Sequence, residues 1–88
     1  MNINDLHSNE ITVYPNPTTG ILNIDSNNEV AIDNVSITIH DVLGKCVFTN
    51  TYNSLKHQSI SISNQQAGIY FVTIQNQSRT SYFKVIKK

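Results

Sequence analysis

Gly44-Lys45, the histidines His7, His40 and His57, and the acidic trio Asp25, Glu29 and Asp33 have residue types suited to phosphate binding or metal ligation. A phosphate loop ending in Gly44-Lys45 needs a glycine at position 39 and a helix after the lysine; position 39 is Ile39, and the residues that follow have strand character. The histidines fall in different predicted segments with no i, i+2 or i, i+4 partner, so each reads as a surface histidine and no metal site is expected. Asp25, Glu29 and Asp33 crowd one loop, but without the glycine and the dense acidic pattern of a calcium loop they read as a solvated turn. Serine, histidine and aspartate are all present, yet no Gly-x-Ser-x-Gly elbow aims a nucleophile. Paired carboxylates have no cleft to work in within so small a domain. Cys46, the single cysteine, stands beside Val47 and Phe48 in a predicted strand and reads as a small, half-buried hydrophobe. The sequence thus predicts no catalytic residue, no metal and no cofactor: the chain is not an enzyme.

The elements that would have to position any site are strands. Ala67 to Ile74 is the most apolar and β-prone stretch, with Tyr70, Val72 and Ile74 on one face and Ile69, Phe71 and Thr73 on the other. A strand apolar on both faces is expected in the middle of a sheet. A tyrosine there fills the core and satisfies its hydroxyl at the edge. Ahead of it, Ile11 to Tyr14 forms a first strand stopped by Pro15-Asn16-Pro17, and Thr18-Thr19-Gly20 turns the chain into Ile21 to Asp25, with Leu22 and Ile24 inward. Asp25 to Asn34 reads as a loop with Val30 and Ile32 as inward anchors. Val35 to His40 alternates cleanly, apolar at 35, 37 and 39, as a half-exposed antiparallel strand does. Asp41-Val42-Leu43-Gly44 is a hairpin connection with Gly44 available for positive φ, and Lys45 to Tyr52 returns with Val47 inward. A loop over Asn53 to Gln58, a strand over Ser59 to Ile62, and a turn at Asn76-Gln77-Ser78 before Tyr82 to Lys87 complete the chain.

About seven short strands without helical period predict an all-β, immunoglobulin-like antiparallel β-sandwich over residues 11–88. Residues 1–10 have no sustained period and read as a linker or loosely held tail. Six basic residues balance six acidic ones, and charged residues are only 14% of the chain, so no field draws nucleic acid or an anionic membrane. One cysteine cannot close an internal disulfide. No apolar run approaches the roughly 18 residues of a membrane span, and residues 1–10 are too polar for a signal peptide. The chain is expected to be either cytosolic or the excised end of a longer protein. Tyr14, Tyr52, Tyr70 and Tyr82 are candidates for a sugar-stacking or partner-binding patch, and Lys84, Lys87 and Lys88 for charges that keep an edge strand from aggregating.

Taken as an ordered set, Val13-Tyr14-Pro15-Asn16-Pro17-Thr18-Thr19-Gly20-Ile21-Leu22, the hairpin Ile39 to Lys45, Ser63 through Gly68-Ile69-Tyr70-Phe71-Val72, and the final Lys84-Val85-Ile86-Lys87-Lys88 resemble the type A C-terminal sorting domain of the bacterial type IX secretion system. The resemblance spans about Ile11 to Lys88 and implies a non-catalytic signal at the end of a larger cargo protein. Such a protein passes through the periplasm and is directed across the outer membrane to the cell surface or the medium. It implies as partners the translocon, its outer-membrane shuttle barrel and a sortase-like peptidase that cuts before the domain, here within or upstream of residues 1–10. The family's Gly-x-Tyr motif maps to Gly68 and Tyr70 and its basic terminus to Lys84, Lys87 and Lys88, the residues expected to be recognised. Pro15, Asn16, Pro17, Gly20 and Gly44 are expected to shape the fold, and the last strand to lie against the central one and expose its end, giving the machinery a folded edge and a free carboxylate to grip. A carbohydrate-binding or adhesion module is the alternative that the same sandwich could support.

Overall fold

The computed structural model describes residues 11–26, 31–77 and 79–88. Its strands are β1 (Ile11–Tyr14), β2 (Ile21–Ser26), β3 (Ile32–Asp41), β4 (Cys46–Leu55), β5 (His57–Ser61), β6 (Gly68–Gln75) and β7 (Thr80–Lys87). They form a three-stranded sheet, β1-β2-β5, and a four-stranded sheet, β4-β3-β6-β7, antiparallel throughout. The period-2 pattern explains the layering. Leu22, Ile24 and Ile60 of the smaller sheet face Val35, Ile37, Ile39, Tyr70, Val72, Ile74 and Val85 of the larger one, and all are buried in one cluster.

β6 lies between β3 and β7, inside its sheet as expected. Only one of its faces is covered, however, because Ile69 and Phe71 point outward and Phe71 keeps 44% of its surface exposed. Its double-sided apolarity therefore reflects the outer surface of the sandwich and not a third layer.

β4 departs from expectation at both ends. The register slips between Ile39, opposite Phe48, and His40, opposite Cys46, so Val47 is the extra residue of a β-bulge. Val47 packs against the core as expected, but the bulge brings Phe48 and Tyr52 in beside it, opposite Ile39 and Val35. Cys46, expected to be half-buried, is exposed, since its partner His40 lies on the outward side of β3. The loop expected over Asn53 to Gln58 is instead strand. Leu55 pairs with Ile32 and is buried, which carries β4 three residues past Tyr52. Lys56 alone then passes the chain to β5, its carbonyl accepting the Ser26 N–H at 2.8 Å. For the same reason β3 starts at Ile32 and not Val35. Asn34, at φ 55°, bends the strand there, and that polar, bent segment has the local chemistry of a loop. Val30, Glu29, Ser78 and residues 1–10, including His7, lie outside the described residues.

Candidate recognition end of the sandwich

The segments singled out in the sequence meet at one end of the molecule. β3 ends there at Asp41, opposite Tyr70 of β6; Gly68 is opposite Lys87; and Thr18 forms a parallel bridge to Lys87. Ile11 lies at the other end, grouped with Ile32, Ile74 and Ser81, in a molecule 38 Å long. Gly20, Gly44, Gly68, Tyr70 and the terminal lysines are thus held together, away from the point where the described chain begins.

The most informative contact is one that sequence reasoning missed. β7 is at the margin of its sheet, as expected, but its outer edge is not bare. The Asn16 side chain pairs with it twice: Nδ2 donates to the Lys84 carbonyl and Oδ1 accepts the Ile86 N–H, both at 2.9 Å. Thr18 continues the pairing through its backbone, its N–H donating to the Ile86 carbonyl at 2.8 Å and its carbonyl accepting the Lys88 N–H at 2.9 Å. The expectation that this strand offers an open edge is therefore corrected: over Lys84 to Lys88 the edge is occupied. The physical reason lies in Pro15-Asn16-Pro17. Prolines lack an N–H and cannot extend a ladder, so the asparagine amide between them supplies the donor and acceptor that block an otherwise sticky margin. The Tyr14-Pro15 and Asn16-Pro17 bonds are both cis.

Thr18, expected only to turn the chain, is buried and bonds locally. Its Oγ1 donates to the Ile21 carbonyl at 2.6 Å and accepts the Gly20 N–H at 3.0 Å. The available signal was a polar residue directly after a proline in a segment that must turn and pack at once. Asn16→Ala is expected to lower stability by about 1–2 kcal/mol, two hydrogen bonds at their usual net worth. It should also speed amide exchange at Ile86; unchanged exchange there would contradict the pairing.

Of the residues expected to be recognised, Tyr70 is 4% exposed and its hydroxyl donates to the Gln66 carbonyl at 2.6 Å, the core role anticipated for it. Lys87, expected as a surface charge, is 8% exposed; the alternation of β7 turns it inward after Val85, and its Nζ lies 3.4 Å from the Lys88 carbonyl. Its aliphatic stem is thus withdrawn from water while the ammonium keeps a hydrogen-bond partner. Lys84, Lys88 and Gly68 are exposed. Gly44 takes φ 87° in the hairpin, as the sequence requires, and its N–H donates to the Asp41 carbonyl at 3.0 Å. Among the described residues no three of His, Cys, Asp and Glu are grouped to hold a metal ion. No described helix is long and apolar enough to cross a membrane. What this end can do chemically is present fixed backbone and side-chain groups to another surface.

The architecture defines the class: an all-β sandwich of two antiparallel sheets whose motif segments lock the last strand in place. The family model for the secretion system C-terminal sorting domain matches residues 12–88, and the chain belongs to that family, the sorting domains of type IX secretion. It is also similar to an endo-acting ulvan lyase of Formosa agariphila, with 27% identity over 84 residues, covering 92% of this chain and 15% of the lyase. The chain therefore spans less than a sixth of that relative's length. Domains of this family are non-catalytic C-terminal secretion signals, attached to larger cargo proteins.

Proposed function

We propose that this chain directs a larger cargo, joined ahead of Ile11, from the periplasm across the outer membrane through the type IX translocon. The cargo is handed to an outer-membrane shuttle barrel, and a sortase-like peptidase then removes the domain at a junction within or upstream of residues 1–10, releasing the cargo or leaving it on the cell surface. The observation that carries this reading is the family match over residues 12–88. The geometry supports it. Ile11, where the described chain begins, lies at the end opposite Lys84, Lys88 and the Asp41–Lys45 hairpin, which separates the attachment side from the candidate recognition end. The relative's name describes the lyase as a whole, and ulvan cleavage is not proposed for this chain.

Gly68 and Tyr70, expected as contact residues, are assigned to building this end. Lys84 and Lys88 are assigned to contacting the machinery. Removing Lys84 to Lys88 outright would take Val85 from the core and strip Asn16 and Thr18 of their partners. Single exposed lysines are the cleaner probe. In a type IX-competent bacterium, a periplasmic reporter fused ahead of this chain should reach the surface. Lys84→Gln with Lys88→Gln should cut that export severalfold while changing the unfolding free energy by no more than the roughly 0.5 kcal/mol typical of surface changes. Undiminished export in that variant would remove the lysines from the recognition surface. A parent fusion retained in the periplasm but binding a glycan array would favour an adhesion module.

A further inference from the structure

Leu43 is 90% exposed and Val42 63%, the two most solvent-exposed large aliphatic side chains among the described residues. They occupy the tip of the β3–β4 turn, where polar residues would cost nothing. The turn is fixed from beneath: Asp41 Oδ1 accepts the N–H of Leu43 and of Lys45, each at 2.9 Å. The Asp41 carbonyl accepts the Gly44 N–H, and the Asp41 N–H donates to the Lys45 carbonyl, each at 3.0 Å. Two branched apolar side chains are thus held in water on a backbone already ordered, the condition under which an anchor loses least entropy on binding.

The surroundings describe what the anchor fits. Between this turn and the loop after β5 lies an open cleft of about 440 Å³, walled by Asp41, Leu43 and Lys45 on one side and by Asn64, Gln65 and Gln66 on the other. Charge is also uneven. Lys45, Lys84, Lys87 and Lys88 lie at this end, and its one described acid, Asp41, already accepts two N–H groups. Asp25 and Asp33 lie toward the opposite end, opposite His57 and Ser54, where Lys56 and Arg79 also lie and balance them. Among the described side chains, lysines therefore outnumber acids where Leu43 projects.

We propose that the Asp41–Lys45 hairpin is a docking knob: Leu43, with Val42, seats in an apolar pocket of a partner protein whose rim is acidic and carries hydrogen-bonding groups for the Asn64–Gln66 amides. This rests on the sorting reading and specifies the surface that the export machinery must present. An anionic bilayer matches the apolar tip and the lysines but has no fixed groups to meet three amide side chains beside the anchor. A protein surface has all three features.

The test uses the reporter fusion with Leu43→Ser, Leu43→Gln and Leu43→Met. The turn's hydrogen bonds come from Asp41 and the backbone, so all three keep the parent's denaturation midpoint. Surface-exposed reporter should fall about tenfold in the serine and glutamine variants, the loss expected on removing one buried anchor from an interface. The methionine variant should stay near the parent. Equal export of parent, serine and glutamine variants overturns the inference and leaves the sorting reading standing; a parent that is not exported removes both. Sedimentation of the parent domain, but not of the serine variant, with phosphatidylglycerol vesicles would overturn it in favour of a lipid surface.

Discussion

Tyr70→Ala should lower the unfolding free energy by about 3–5 kcal/mol, the usual cost of deleting a buried aromatic ring. The ring belongs to the core cluster, is almost wholly removed from solvent, and its hydroxyl is bonded to the Gln66 carbonyl. Domains of this size have only some 5–15 kcal/mol in total, so the variant should be substantially destabilised. Tyr70→Phe separates packing from hydrogen bonding: the ring remains, and about 1 kcal/mol is lost with the hydroxyl. Chemical denaturation of the three proteins measures both. A parental midpoint for Tyr70→Ala would show that the ring is not buried. Export loss in that variant is to be read together with its stability, because an unfolded signal and an unrecognised one give the same phenotype.

Gly20→Ala is the second large effect, about 3 kcal/mol. The residue sits at φ 147°, a region that costs a side chain about 1–3 kcal/mol. An added Cβ would also stand 2.8 Å from Ser63 Cβ and 3.0 Å from Ser63 Cα. Retreat is blocked, because the Gly20 carbonyl accepts the Ile62 N–H at 2.7 Å and ties β2 to the end of β5. Ser63→Gly in the same chain removes the nearest atom and should recover part of the loss, a coupling that a double-mutant cycle reads directly. Gly44→Ala, at φ 87° with nothing within 4 Å of the added carbon, should cost only the backbone term, about 1 kcal/mol. Equal costs at the two glycines would contradict the close approach at Gly20.

Where alternation was strict, the residues alone were enough. Val35, Ile37 and Ile39 face inward, Tyr70 fills the core with its hydroxyl at the edge, and Gly44 takes a positive φ. Failures came where pairing across the sheet overruled local chemistry. Asn53-Ser54 and Asp33-Asn34 have loop composition, yet the Ile32–Leu55 pair holds both segments in strand. A one-residue bulge at Val47 changes which side chains of β4 face the core, and no local pattern announces it. At the candidate site, the residue types of the motif were legible, but their division of labour was not. Asn16 and Thr18 close an edge that lies nearly seventy residues further along the chain. Lys87 is turned inward, and Leu43 outward at a tip whose composition looked like an ordinary turn.

If the proposed function holds, this domain should be sufficient as an export label on its own. The direct measurement is the fraction of a periplasmic reporter, fused ahead of residues 1–88, that becomes accessible to protease added to intact cells, in paired strains with and without the type IX translocon. Accessibility should depend both on the fused domain and on the translocon, with the reporter alone protected in each strain. Protection of the fusion in the competent strain, or equal accessibility without the translocon, would contradict it.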